Sequence, residues 1–334
     1  MPGVRLNFGK ETVGLSFGVP GMRYTINSKG RRTLTTGLPG TGLYNVETLS
    51  SGTRASGRSS NTSAEQYSGS TAPAPGFFAS KSERAFSKLF LEIYGKGSRP
   101  EATYVIEKCA ALSKQYDDLK YPLDLIAFLH GIADVEWAPK AQSWGAVLWE
   151  HRELAFSDKL VIKYFTEILP KVTISPGITT RLHYNRQTFS FIWAEVLQGQ
   201  EKFDEALSVL HLMQPDQMVA VSIADIEITQ RNFDGAIETT DDIEVFDDAT
   251  AMLMLLRGIA FREKGMNDAA IECFKRTLKE TSLPEALQHR TLFERAVTYA
   301  LMGKRAMGIK DLELILVDDP NYPEVEKKLT ELKK

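Results

Sequence analysis

The sequence predicts a mainly α protein: an α-solenoid of stacked helix pairs, preceded by a small antiparallel β meander and a flexible linker. Three observations carry this. Apolar residues alternate with polar ones across 1–47, a Ser-, Thr-, Gly- and Pro-rich stretch occupies 48–79, and apolar residues recur at helical spacing from 80 to the end, with an internal repeat over 185–320.

The meander comes first. Val4, Leu6 and Phe8 share one parity, as do Val13, Leu15 and Phe17, and again Met22, Tyr24 and Ile26. Period-two alternation is the mark of half-buried strands. Between the sets lie Gly9-Lys10, Gly18-Val19-Pro20-Gly21 and Asn27-Ser28-Lys29-Gly30, residues that supply positive φ or a preset φ for hairpin connections. Leu34 and Leu43-Tyr44, around Gly37-Leu38-Pro39-Gly40, predict one or two further strands. The nine apolar residues form one face that nothing within 1–76 can cover, so it is a candidate assembly face. In the linker, Ser, Thr and Gly make up 16 of the 29 residues of 48–76, a composition that cannot bury a core.

The helical part follows. Stripes such as Phe86, Leu89, Phe90, Ile93 and Val105, Ile106, Cys109, Leu112 sit at helical spacing, and about a dozen helices of roughly 10–18 residues fill the region, with no strand expected. Residues 80–184 are helical without a clear register. Trp137, Trp144 and Trp149 cluster there beside His151, either as core or as the wall of a pocket; tryptophans mostly bury themselves, which favours core.

The repeat is plain in 185–320. Gln200-Glu201-Lys202-Phe203-Asp204-Glu205-Ala206-Leu207 matches Gln230-Arg231-Asn232-Phe233-Asp234-Gly235-Ala236-Ile237 and Lys264-Gly265-Met266-Asn267-Asp268-Ala269-Ala270-Ile271, with a weaker copy at 302–309. Ala206, Ala236, Ala270 and Gly308 are spaced 30, 34 and 38 apart, and Ala194, Ala224, Gly258 and Ala296 each lie twelve residues earlier. Small residues at two fixed points let two helices cross closely and stack on the next pair.

These units, with Arg295-Ala296-Val297-Thr298-Tyr299-Ala300-Leu301-Met302-Gly303 and the ending Asp319-Pro320-Asn321-Tyr322 as the best match, resemble the tetratricopeptide (TPR) repeat family. The resemblance implies a right-handed solenoid whose first helices line a groove for a protein or peptide partner. The matching positions are Phe191, Val221, Leu255 and Phe293, with Glu195, Asp225, Ile259 and Val297 one turn on. The Lys and Asn residues that clamp a carboxylate in chaperone-tail binders of the family are missing, so a bound segment is expected to be apolar or basic. Packing against the neighbouring helix is an equal use for these side chains, since a solenoid's inner face is partly core. Residues 321–334 read as a polar capping helix. Pro2-Gly3-Val4-Arg5-Leu6-Asn7 and Gly37-Leu38-Pro39-Gly40-Thr41-Gly42-Leu43-Tyr44 resemble a short Gly-rich bacterial β domain of unknown function, which implies a bacterial origin and no known activity.

Charge and chemistry narrow the function classes. The 334 residues are 43% hydrophobic and 25% charged with net charge −3, so the chain is no general polyanion binder and no nucleic-acid partner is expected. Residues 1–76 carry eight Lys and Arg against three acids, so the two parts are opposite in sign. No apolar run reaches the roughly 18–20 residues of a membrane span and no signal peptide is visible. Cys109 and Cys273 are too few and too distant for a disulfide framework or zinc site, which fits a reducing cytoplasm. His130, His151, His183, His211 and His289 show no metal spacing, and no nucleophile elbow occurs. Gly37-Leu38-Pro39-Gly40-Thr41-Gly42 precedes a strand rather than a helix, so it is a turn and not a phosphate loop. The acidic run 241–248 lacks the glycine and glutamate of a calcium loop. No cofactor, metal or catalytic residue is therefore expected. The expectation is a non-enzymatic interaction scaffold, with self-assembly through the meander and an enzyme site hidden in 80–184 as alternatives.

Overall fold

The computed structural model describes residues 4–8, 13–19, 22–27, 32–37, 44–50, 73–95, 100–175, 178–280, 283–320, 322 and 324–333. The chain divides into two units: Met1–Ser51 with Thr173–Thr180 and Leu197–Lys334, and Gly52–Val172 with Arg181–Val196.

The first unit begins with strands β1 (Val4–Phe8), β2 (Val13–Val19), β3 (Met22–Asn27), β4 (Arg32–Gly37) and β5 (Tyr44–Ser50), paired in sequence order in one antiparallel sheet. Val4 stands opposite Phe17, Phe17 opposite Tyr24 and Tyr24 opposite Leu34. Leu6, Leu15 and Ile26 form the next row, Phe8 faces Val13, and Val19 faces Met22. Opposed residues of an antiparallel pair lie on one face, so this register places the nine alternating apolar positions on a common face. β5 runs to Ser50, three residues into the stretch read as linker. The connections at 9–12, 20–21, 28–31 and 38–43 and the linker residues 51–72 lie outside the described residues.

The second unit is helical: α1 (Lys81–Tyr94), α2 (Ala102–Ser113), α3 (Lys120–Gly131), α4 (Ala138–Glu150), α5 (Arg152–Ser157) and α6 (Lys159–Tyr164), then most of α7 (Arg186–Gly199). Ser80 caps α1 by accepting from the Glu83 N–H at 3.0 Å, and Asp158 caps α6. The core is an aromatic nest. Phe86 and Phe90 of α1 each lie 5.4 Å from Tyr164, and Phe128 lies 5.2 Å from Phe189. A Cβ on Gly145 would come within 2.5 Å of the Trp193 ring, so only glycine permits this approach of α4.

In one respect the sequence expectation fails. No strand was expected beyond residue 80, yet β6 (Lys171–Ser175) and β7 (Ile178–Arg181) form a two-stranded sheet, continued by bonds from the Leu182 N–H to the Pro170 carbonyl and from the Tyr184 N–H to the Ile168 carbonyl. The physical reason is local. Val172, Thr173 and Ile174 are β-branched, as are Ile178, Thr179 and Thr180, and the sequence between them carries the turn signal Pro-Gly. The helices are also more numerous and some are shorter than expected: α5 and α6 have six residues each.

The rest of the first unit is α8 (Phe203–His211) followed by three helix pairs and a cap: α9 (Gln217–Thr229) with α10 (Phe233–Thr239), α11 (Asp248–Glu263) with α12 (Asn267–Thr277), α13 (Glu285–Leu301) with α14 (Arg305–Asp318), and α15 (Val325–Lys333). The small residues sit where the helices of a pair cross. A Cβ on Gly308 of α14 would lie 3.0 Å from the Ala296 carbonyl of α13, and one on Gly258 of α11 would strike Phe274 of α12 at 2.5 Å. Ala224, Ala236, Ala270 and Ala296 have no exposed surface.

The turn inside each pair has a fixed geometry. Glu201, Arg231, Gly265 and Gly303, each five residues before the second small residue, have φ of 62°, 62°, 79° and 73°. The next N–H then reaches back over the helix end: Lys202 to the Leu197 carbonyl, Asn232 to Glu227, Met266 to Phe261 and Lys304 to Tyr299, at 2.7–2.9 Å. A left-handed residue followed by this long return bond is the Schellman ending. It ends the first helix and reverses the chain within about four residues. The cap α15 buries Val325, Leu329 and Leu332 against the last pair.

Candidate functional site

The first helices of the three pairs, with the cap, enclose a groove of about 680 Å³. Its lining comes from the C-terminal ends of α9 and α11, the first residue of α10, α13 from Arg290 to Leu301, and one side of α15. Apolar contact is offered by Ile228, Phe233, Ile259, Phe293, Val297 and Leu301. Leu301 is 63% exposed, the most open of the apolar side chains there.

Charge is concentrated in the floor. Arg262 of α11, almost fully buried, bonds Glu294 of α13 and reaches Glu263 at 2.9 Å. Burial disfavours the charged guanidinium, but Glu294 and Glu263 outweigh it and hold the Arg262 pKa above its ordinary value. One turn earlier, Arg290 lies 3.8 Å from Asp225 of α9 and 3.5 Å from the Ser175 hydroxyl. Burial pushes the Asp225 carboxyl up, and Arg290 and Ser175 partly counter that. Glu294 is 2% exposed, and its Oε1 has no hydrogen-bond partner among the described residues. Buried pairs of this kind contribute little net stability, but removing one member strands the other and typically costs about 3–5 kcal/mol. The rim carries Arg231, Glu324, Lys327, Lys328 and Glu331. Lys327 pairs with Glu324 at 3.3 Å and Lys328 with Glu331 at 3.1 Å.

The sequence-predicted groove residues fall into three groups. Ile259, Phe293 and Val297 line the groove. Val221 and Leu255 are wholly buried, and Asp225 lies beneath the floor against Arg290. Phe191, buried, and Glu195, partly buried, sit on α7 in the other unit. Burial pushes the Glu195 carboxyl up to about 7. The floor residues Arg262, Arg290 and Glu294 were not singled out from the sequence. Their signal was charge in the middle of apolar helical stripes, with Arg290 and Glu294 one turn apart.

Other candidates have structural roles. Trp137 and Trp144 stack at 6.2 Å with Lys140 over both rings, and the Trp137 indole donates to Thr103; Trp149 stands apart under Arg152 at 4.4 Å. All three are half-buried, so the cluster is neither core nor a closed pocket. In the acidic run, Asp247 caps α11 in a reciprocal box with Thr250, and Asp241 pairs with Arg257 at 2.8 Å. Cys109 and Cys273 are buried free thiols, and burial pushes Cys109 up to about 12. His289 sits 3.4 Å from Asp318, His130 lies 3.2 Å from the Tyr94 hydroxyl, and no cluster able to hold a metal occurs among the described residues. No helix among them is long and apolar enough to cross a membrane.

Residues 1–46 match the family model described as a protein of unknown function (DUF4236). No curated protein matches the chain. Among solved structures, the N-terminal domain of the EccA1 ATPase from the ESX-1 secretion system of Mycobacterium tuberculosis is similar with a TM-score of 0.58 at 13% identity, over 76% of this chain and 90% of that one. The APC/C hetero-tetramer Cut9–Hcn1 is matched with a TM-score of 0.38 at 13% identity, over 75% of this chain and 48% of that one. At such identity the likeness to the EccA1 domain speaks for fold alone. Together with the paired helices, their close small-residue crossings and their shared turn, it makes the helical part of this chain a TPR-like solenoid.

Proposed function

We propose that the chain is a non-enzymatic interaction scaffold whose groove binds an apolar segment of a partner protein. The observation that carries this is the groove itself. It is a cleft of about 680 Å³ walled by Ile228, Ile259, Phe293, Val297 and Leu301. Its charges are largely paired with one another, so they select weakly by sign. Five cations and four carboxylates line it. The Glu294 Oε1 accepts no hydrogen bond among the described residues, and a backbone N–H or one basic side chain of the segment would satisfy it. Apolar contact then supplies the affinity and Glu294 the orientation.

The test is selection of displayed random peptides on the full chain, followed by titration of the winners against Val297→Arg. Val297 is half-buried on the groove wall, one turn from Glu294, so the arginine narrows the cleft and puts a cation beside that carboxylate. Apolar winners that lose binding at unchanged melting temperature support the reading. Acidic winners, or winners indifferent to V297R, refute it.

The sheet supports a second contact. Its register gathers Val4, Leu6, Phe8, Val13, Leu15, Phe17, Met22, Tyr24 and Ile26 on one face, and β1 and β5 are edge strands of the five-stranded order. Self-association through that face is the reading it favours. It is tested by sedimentation of the full chain carrying Leu15→Lys: unchanged association would refute it.

A further inference from the structure

We infer that α14 is a self-recognition surface, on which a second copy of this chain docks its own α14 in antiparallel orientation. Three features of that helix converge, the third being the symmetry that relates the first two. The first is apolar exposure on a face away from the core. Gly308, Leu312 and Ile315 are buried against the solenoid, yet Met307, Leu314 and Val317 are 48%, 45% and 77% exposed. With Lys310 they occupy successive a and d positions of two heptads, 307, 310, 314 and 317, which is the seam of a short coiled coil.

The second feature is charge of the wrong sign at both ends. Carboxylates stabilise the start of a helix and cations its end, because of the helix dipole. α12 obeys, with Asp268 in its first turn and Lys275 and Arg276 in its last; α15 obeys with Glu326 and Lys333. α14 does the reverse. Lys304 and Arg305 open it, Asp318 and Asp319 close it, and it has no acid in the first turn and no base in the last. The dipole of an isolated α14 gains nothing from this order, although Asp318 already meets the His289 ring of its own chain at 3.4 Å.

The third feature is self-complementarity. A two-fold axis through the level of Leu312 sets Met307 of one copy beside Val317 of the other, and Lys310 beside Leu314. The same axis brings Lys304 and Arg305 to the level of Asp318 and Asp319 of the second copy, twice per dimer. The reversed charges then pair, the two helix dipoles run antiparallel, and the Lys310 stem covers Leu314 while its ammonium stays in water. A parallel pairing would set like charge against like, so the charges choose the orientation. A separate partner protein would leave this internal symmetry unexplained. Two heptads bury less than the roughly 1,600 Å² of a standard interface, so the dimer is weak and concentration-dependent.

The experiment is sedimentation equilibrium of the full chain from low micromolar to several hundred micromolar. The expected result is a mass rising toward twice the monomer, an association at least tenfold weaker in Val317→Glu, and an unchanged melting temperature, since Val317 faces solvent. The sheet is the same in both proteins, so association through it cannot produce the difference. Orientation is read by cysteine cross-linking, because Cys109 and Cys273 are buried. A mixture of Met307→Cys and Val317→Cys should form a disulfide-linked dimer readily, and neither variant alone should. A chain that stays monomeric throughout, an association indifferent to V317E, or M307C cross-linking to itself as fast as the mixture would each overturn the proposal.

Discussion

Gly265→Ala isolates the backbone geometry that reverses each helix pair. Gly265 sits at φ 79°, and a Cβ added there meets nothing within 4 Å, so the substitution introduces no clash beyond its own backbone. What remains is the cost of the left-handed region to an L-residue, about 1–2 kcal/mol. Alanine offsets part of it by stiffening the unfolded chain, about 0.4–1 kcal/mol. The net destabilisation is therefore about 1 kcal/mol, which for a unit of this size lowers Tm by about 2–4 °C. Thermal denaturation followed by far-UV circular dichroism measures it. The rank order is the stricter test: Gly265 should be most stable, Asn next because its side chain tolerates this region, then Ala, then β-branched Val. Gly303→Ala, at φ 73° with equally open space, should behave as Gly265→Ala does. Arg231→Gly, which relieves the same strain at φ 62°, should not destabilise. If G265A melts at or above the wild-type temperature, the turn does not hold the left-handed conformation and the shared reversal of the pairs is wrong.

Three further outcomes are expected. Ala270→Leu overpacks a position with no exposed surface at the α11–α12 crossing and should cost about 1–3 kcal/mol, read as a lower denaturant midpoint. Burial depresses His130 from 6.5 to about 4, so the folded chain holds fewer protons than the unfolded one between those values; stability is full above 6.5 and falls as pH drops toward 4, by no more than about 3 kcal/mol, and His130→Gln should flatten that slope. Burial raises Glu195 from 4.5 to about 7, so the sign reverses: stability declines as pH climbs from 4.5 to 7, and Glu195→Gln should be relatively more stable at pH 8 than at pH 4.

The repeat was legible because its determinants are local. Small residues at a constant separation of twelve mark both halves of each crossing; the left-handed residue five positions before the second one was not legible, because Glu201 and Arg231 carry no glycine signal there. The sheet was legible because alternation fixes which positions share a face, and its register then aligns Val4, Phe17 and Tyr24. The β6–β7 hairpin was also written locally, in β-branched residues around Pro176-Gly177, but it interrupts a helical region whose periodicity dominated the reading. The packing of 73–172 was not legible: its aromatic nest joins residues as distant as Phe86 and Tyr164, and Gly145 answers to Trp193 rather than to any repeat. The groove was half legible. Spacing places Val221 and Leu255 on first helices, but a residue about 100° round the helix from the groove faces the next helix instead, and both are buried there. Arg290–Asp225 and Arg262–Glu294 join separate helices, and no single-helix pattern announces them.

Hydrogen exchange of the full chain with and without a selected peptide tests the central claim most directly. Added protection is expected at amides of 228–233, 259–263, 290–301 and 324–331, the segments that line the groove, with 235–239 of α10 and the whole of α12 unchanged. Protection on 235–239 and α12, or confined to 73–172, would contradict it.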